Sequence, residues 1–318
     1  MTVYLSAKDV HKSYRRKQVL KGVTLDLYNG EILALLGPNG SGKTTFIKIL
    51  ATLLIKDAGK VEIMGYDLDK NPNAIRHLFG YVGQDSERSA YARLSVRENL
   101  HFFGSLHGLD KKTINAQLDK LVHYFDFAES IDKRFEHLSG GQKQTMVIMR
   151  ALLYNPPVVY LDEPTKGLDP LVAKKIRAYL KRYVKDEQKS LLLTSHILPE
   201  VDEMSDRVAL IADGVIPIVS TATKLKESVS IRSFIEVPTN LVSPELKDEI
   251  MANSMILACR EREAGWLSFG VNDLLDGTEM MIALMRKHQI QPTIRNYNVS
   301  LEDAFVHHVG ALAQRFDT

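Results

Sequence analysis

Apolar and polar residues alternate from Val3 to Val10 and again from Val19 to Leu27, the two-residue period of strands that bury one face. Asn29-Gly30 follows, a pair suited to a tight hairpin turn. Ile32 to Leu36 is then apolar without interruption, as a strand covered on both faces requires. Directly behind it stand Gly37-Pro38-Asn39-Gly40-Ser41-Gly42-Lys43-Thr44-Thr45, after which Phe46, Ile47, Ile49, Leu50, Leu53 and Leu54 recur at helical spacing. The order is strand, glycine-rich loop, helix.

Helical periodicity dominates from about residue 85 to 150, with helices predicted over Val96 to His107, Thr113 to Phe125 and Gly141 to Tyr154. Two more apolar strands follow: Val158 to Leu161, running into Asp162-Glu163-Pro164, and Ser190 to Thr194, running into Ser195-His196. Each core strand thus delivers polar residues at its carboxyl end, where open parallel α/β sheets bind ligands. From about residue 223 the pattern changes to short strands at Phe234 to Val237, Ile256 to Ala258, Trp266 to Val271 and Pro292 to Tyr297. They are interleaved with helices at Glu245 to Met251, Glu279 to Lys287 and Leu301 to Val309. This predicts a small α+β domain, and no second glycine-rich loop occurs in it.

A length of 318 residues exceeds what one hydrophobic core ordinarily serves and fits two domains. With 45% hydrophobic and 25% charged residues, and only 11 Pro and 19 Gly, both are expected to be globular. The longest apolar runs fall far short of the ~20 residues of a membrane-crossing helix. The first dozen residues are polar and lack the apolar segment of a secretory signal, so cytoplasmic residence is expected. The lone Cys259 rules out an intrachain disulfide and a multi-thiolate metal site, and ten histidines without HExxH spacing argue against a protein-held zinc. Through residue 222 there are 31 basic against 26 acidic side chains (+5), and beyond it 10 against 13 (−3). Neither part has the broad basic excess of a phosphodiester-binding domain, so nucleic acid is not an expected partner.

Gly37 to Thr44 fits G-x-x-x-x-G-K-[ST]. Its glycines let the loop's N–H groups curl around phosphates at a helix N-terminus, where unpaired amides and the helix dipole favour an anion. Lys43 would reach the β- and γ-phosphates, and the Thr44 hydroxyl would bind Mg²⁺. Val158 to Asp162 is four strand residues and a carboxylate, the form of a Walker B segment in which Asp162 holds Mg²⁺. Glu163 comes next, placed to accept a proton from the water that attacks the γ-phosphate.

Leu138-Ser139-Gly140-Gly141-Gln142 carries the most weight, because such a pentapeptide arises by chance on the order of once in a few thousand chains. It resembles the signature of ATP-binding cassette (ABC) ATPases, and the resemblance extends over roughly residues 3 to 222. It implies an α/β P-loop NTPase cassette over 1–222, with a mixed core sheet, an antiparallel β subdomain and a helical subdomain at about 85–150, followed by an α+β accessory domain over 223–318. It also implies that Glu163, His196, Gln84 and Lys43 are catalytic, with His196 the switch residue at the γ-phosphate. The nucleotide would be held by Tyr14, stacked on adenine, by Val19, by Gly37, Asn39, Gly40, Ser41, Gly42, Lys43, Thr44 and Thr45, and by Gln84, Asp162 and Asp169. Mg²⁺ would be held by Thr44, Gln84 and Asp162. Thr145, where the family commonly has a basic residue, and Pro217, inside a strand-like stretch, depart from the pattern.

Two cassettes of this family pack head to tail, so the resemblance implies that Ser139, Gly140, Gly141 and Gln142 serve the ATP of a second cassette, most simply a second copy. Val299-Ser300-Leu301-Glu302-Asp303-Ala304-Phe305 looks like the closing helix of the ATPase subunits of bacterial ABC-2 type exporters. That implies a polytopic transmembrane permease as partner and a peripheral place on the cytoplasmic face of the cell membrane. A permease coupling helix would dock near Tyr91, Leu94, Phe102 and Phe103. The alternative is a soluble ABC ATPase of translation or DNA repair. Against it stand the single phosphate loop and signature and the lack of a long heptad-bearing insertion between Lys43 and Asp162.

Overall fold

The first alternating run becomes β1 (Val3–Tyr14), and the second becomes β2 (Lys17–Tyr28), paired antiparallel. Leu5 and Ala7 are buried on one face of β1, and the alternation then slips so that Val10 is buried next. The slip sits at Asp9, whose φ is 53°, where the register with β2 shifts; a bulge there returns Val10 to the core side. The computed structural model describes residues 2–15, 17–84, 86–262 and 265–316. The chain divides into two units, Met1–Thr221 and Ala222–Thr318.

Asn29-Gly30 is a turn but not a hairpin. It carries the chain out of β2 into β3 (Ile32–Leu36), which belongs to a different sheet, and the hairpin of this region joins β1 to β2 instead. The remaining elements of the first unit are α1 (Lys43–Leu50), β4 (Ala58–Ile63), β5 (Tyr66–Asp67), α2 (Pro72–Ile75) and β6 (Phe79–Val82). Then come α3 (Val96–Leu106), α4 (Lys111–Phe125), α5 (Gly140–Leu152), β7 (Val158–Asp162), α6 (Pro170–Asp186), β8 (Ser190–Thr194), α7 (Leu198–Met204), β9 (Arg207–Ala212) and β10 (Val215–Ser220).

Strands order as β2-β1-β4-β5 in an antiparallel sheet and as β10-β9-β3-β8-β7-β6 in the central one. In the central sheet every pairing from β9 to β6 is parallel, and only β10 runs antiparallel, at the edge. Pro217 falls on that edge strand, beside a register break between Val215 and Ile218, where its missing N–H leaves no ladder bond unmade. All five residues of β3, of β7 and of β8 are buried, which explains their unbroken apolar character. One hydrophobic cluster joins Leu5, Val23 and Ile63 of the antiparallel sheet, Phe46 and Ile49 of α1, and Leu33, Tyr160 and Leu192 of the central sheet. This packing fixes the loop before α1 at the carboxyl edge of the parallel strands.

In the second unit α8 (Ala222–Glu227) precedes β11 (Ser233–Pro238), α9 (Pro244–Met251), β12 (Ile256–Arg262), β13 (Trp266–Val271), α10 (Leu274–Lys287), β14 (Arg295–Asn298) and α11 (Leu301–Phe316). The order β12-β13-β11-β14, antiparallel throughout, with the sequence β-α-β-β-α-β, is the ferredoxin-like split arrangement. Ile235, Phe269 and Val271 pack with Leu246 and Ile250 of α9 and with Met281 and Met285 of α10. On the opposite sheet face Phe234 stacks on Tyr297 at 5.3 Å, Arg260 lies over Phe234 at 4.2 Å, and Arg295 lies over Trp266 at 3.9 Å. The strand expected over Pro292 to Tyr297 is shorter and starts at Arg295, while β12 runs on to Arg262.

Candidate functional site

Residues 37–42 link β3 to α1. Gly42 caps α1 at φ 106°, and a Cβ there would lie 2.6 Å from Leu20, while a Cβ on Gly37 would lie 2.1 Å from the Ile211 carbonyl. Only glycine allows this path. No side chain caps α1 and no acidic residue stands in its first turn, so its first N–H groups are free for an anion. The Ser41 hydroxyl is buried without a partner beside them. Lys43 Nζ donates to the carbonyls of Gly37 at 2.7 Å and Pro38 at 3.0 Å, and burial lowers its pKa.

A cavity of about 430 Å³ opens above the loop, walled by Tyr14, Val19, Asn39, Gly40, Gly42, Lys43, Thr44 and Thr45 and closed by Gln84 and Glu163. Lys17 also lines it, a residue that no sequence motif marks. An adjoining space of about 200 Å³ brings Gln84, Asp162, Glu163 and Lys166 together. These residues come from four separated segments of the chain.

Asp162 is 2% exposed at the end of β7, and both its carboxylate oxygens are aimed. Thr44 Oγ1 donates to Oδ2 at 3.0 Å and Thr194 Oγ1 donates to Oδ1 at 2.5 Å. Gln84 Nε2 lies 3.5 Å from Thr44 Oγ1. Glu163 stands at φ 55°, a left-handed conformation costly for a side-chain-bearing residue; its N–H donates to the Thr194 carbonyl at 3.1 Å. Its carboxylate meets Lys166 Nζ at 2.7 Å and His196 Nδ1 at 3.3 Å. Burial alone would raise the Glu163 pKa, but Lys166 and His196 outweigh it and hold the carboxyl below its usual value. Neither Thr194 nor Lys166 was singled out by the sequence, because each acts through a contact that only the fold creates.

The signature residues stand elsewhere. Ser139 caps α5 by accepting from Gln142 N–H at 3.3 Å, and Gln142 Oε1 accepts from Ser139 N–H at 3.0 Å, a reciprocal capping box. Gln142 Nε2 also donates to Ser130 Oγ at 3.0 Å, so its side chain is committed to shaping this turn. Ser139, Gly140, Gly141 and Gln142 line neither of these two spaces; Ser139 and Gly140 are exposed at a helix N-terminus without acidic residues in its first turn. Thr145, in place of a basic residue, is buried and donates to the Gly141 carbonyl at 2.9 Å. Asp169 caps α6 by accepting from Leu171 N–H at 2.8 Å, and it too lies outside the loop cavity.

Residues 20–166 match the family model described as ABC transporter. A daunorubicin resistance ATP-binding protein of Streptomyces coeruleorubidus is 34% identical over 222 residues, covering 70% of this chain and 69% of that protein. The ABC transporter ATP-binding protein NatA of Bacillus subtilis is 35% identical over 202 residues, or 63% of this chain and 81% of NatA. Among solved structures, a dimeric ATP-binding cassette in a post-hydrolysis state with ADP and Pi superposes with a TM-score of 0.62 at 25% identity, over 68% of this chain and 98% of that one. Carrying a phosphate loop, an aimed Asp162-Glu163 pair and a capped signature helix in this one fold, the chain belongs to the ATP-binding subunits of ABC transporters and is an ATPase of that family.

Proposed function

We propose that this chain drives an ABC-2 type exporter as one of two identical cassettes that close head to tail on ATP, docked to a polytopic permease at the cytoplasmic face of the membrane. The observation that carries this reading is the separation of the site into two parts. Lys43, Thr44, Gln84, Asp162 and Glu163 converge on the loop cavity and the space adjoining it, while Ser139 and Gly140 stand exposed at a helix start that lines neither. A second cassette would supply the missing side.

ATP would lay its phosphates on the loop N–H groups, with Tyr14 against adenine. Lys43 would exchange the Gly37 and Pro38 carbonyls for the β- and γ-phosphate oxygens. Thr44, Asp162 and the Gln84 amide are hard oxygen donors, a set that suits Mg²⁺, which would neutralise charge on those phosphate oxygens. Glu163 would orient the attacking water and take its proton, and His196, beside it, would turn to the γ-phosphate. The N-terminus of α5 would bind the γ-phosphate held by the other cassette. Hydrolysis removes that bridging group, and with it the difference in free energy that favours the closed pair.

Among the described residues no helix is long and apolar enough to cross a membrane, so translocation would fall to another chain. Tyr91 and Phe102, 50% and 38% exposed, form an aromatic cluster with Phe103, with ring centroids 4.9 and 5.3 Å apart, a surface fitted to an apolar helix. The second unit would regulate or assemble rather than catalyse. The test is reconstitution with a polytopic membrane protein that copurifies with this chain. Tyr91→Glu should abolish transport while basal ATP turnover stays within about two-fold, since exposed-surface changes are usually small in stability. Failure of the wild-type chain to copurify with an integral membrane protein would contradict the reading.

A further inference from the structure

Arg150 stands in the last turn of α5, the helix that Ser139 opens. Its guanidinium crosses to the turn Ser86–Ser89: Nη1 donates to Ser89 Oγ at 2.8 Å and Nη2 to the Ser86 carbonyl at 3.2 Å. It also lies 4.5 Å over the Phe103 ring of α3. The turn it grips is the one that sets Gln84, because Ser86 Oγ accepts from Gly83 N–H at 2.6 Å and Gln84 Nε2 reaches toward Thr44 Oγ1 at 3.5 Å. One side chain therefore joins the signature helix to the segment that touches the residue assigned to Mg²⁺.

Both acceptors of Arg150 are neutral, and burial lowers its pKa. A partly buried cation on neutral oxygens bears a desolvation cost that an apolar side chain filling the same space would not, so packing alone does not account for it. The same side chain borders two spaces. One, of about 370 Å³, has Thr44, Gln84 and Ser89 in its wall. The other, of about 280 Å³, has Phe103, His107 and Tyr154. The guanidinium thus stands between the two spaces.

We propose that Arg150 is a positioning residue of the ATPase cycle, transmitting the placement of Gln84 at one cassette's ATP to the pitch of the signature helix that serves the other cassette's ATP. The inference rests on the composite-site reading above. Arg150 does not line the cavity above the phosphate loop, so its loss should affect closure and turnover without affecting the first encounter with ATP.

Arg150→Lys keeps the charge and loses the two-pronged contact, and Ser89→Ala removes one acceptor from an exposed position at little cost to folding. In the full chain, binding of a fluorescent ATP analogue without Mg²⁺ should stay within about two-fold, whereas Mg²⁺-ATP turnover should fall about ten-fold in Arg150→Lys, the usual effect of losing a charge-assisted bond. Ser89→Ala should show a smaller fall, and the double variant should be no worse than Arg150→Lys alone. In a Glu163→Gln background, the ATP concentration needed for dimerisation, read by size-exclusion chromatography, should rise in step. Unchanged turnover and dimerisation, independent multiplying effects of the two substitutions, or analogue binding that falls together with turnover each overturn the proposal. A Glu163→Gln chain with Arg150 intact that stays monomeric in ATP overturns the composite-site reading and this proposal with it.

Discussion

The Thr44 hydroxyl donates to the Asp162 carboxylate at 3.0 Å, although 118 residues separate the two in sequence. Thr194 fixes the other carboxylate oxygen, so strand β7 presents Asp162 to the phosphate loop in one orientation. In the proposed mechanism such preorganisation would remove the cost of aiming the charge during turnover. Asp162→Asn preserves the shape and removes the charge. Phosphate release should fall by about 10²-fold or more, and the Mg²⁺ concentration for half-maximal rate should rise, while analogue binding without metal stays nearly unchanged. An unaltered Mg²⁺ dependence contradicts the assignment.

The proposed division of the site between two chains gives a complementation test. Lys43→Ala chains and Ser139→Arg chains should each be inactive, since one lacks the phosphate contact and the other blocks the exposed start of α5. Mixed, they should recover part of the wild-type rate, because one composite site per mixed dimer is intact. Mixtures as inactive as the parents, or a wild-type specific rate independent of protein concentration, would count against the head-to-tail arrangement.

How much of this was legible beforehand depended on whether a feature is local. The glycine loop, the apolar runs of β3, β7 and β8 and the carboxylates at their ends are local, and the structure has them where periodicity predicts. Asn29-Gly30 misled because a turn dipeptide specifies a change of direction and not the sheet in which the next strand pairs. Asp9 was invisible for a similar reason: a bulge is a property of two strands together. Lys17, Thr194 and Lys166 gain their meaning only from contacts across the fold, and so does the strand order of the second unit, which no short window of sequence encodes.

The capping of α11 makes the second unit sensitive to acid. Ser300 N–H donates to Asp303 Oδ2 at 2.8 Å, Asp303 N–H donates to Ser300 Oγ at 3.2 Å, and the buried carboxylate is also paired with Arg260. Burial pushes the Asp303 pKa up, but Arg260 and Ser300 outweigh it and leave it below its ordinary value. A depressed carboxyl contributes stability that is present above the unfolded pKa of about 3.9 and is lost as pH falls through the folded value. Trp266, the only tryptophan of the chain, lies in this unit and reports on it by fluorescence. Unfolding followed at Trp266 should show stability dropping below about pH 4 in the wild type. Asp303→Asn should lower stability at neutral pH by about 1–3 kcal/mol and flatten that acid limb. An equal acid limb in both proteins would assign the effect to other carboxylates.

A chain ending at Thr221 should fold and bind ATP with near wild-type affinity, because every residue of the loop cavity precedes that point. Circular dichroism and analogue titration would check this. A folded truncation unable to bind nucleotide would show that the second unit completes the site.

The most direct measurement of the central claim is Mg²⁺-ATP turnover and assembly state of Glu163→Gln. Glu163 is placed beside both His196 and Lys166 at the edge of the phosphate cavity. Its amide replacement should keep ATP binding, lower turnover by about 10²–10⁴-fold and accumulate an ATP-dependent dimer. Wild-type turnover, or a monomer that hydrolyses ATP at the same rate at every protein concentration, would contradict the account.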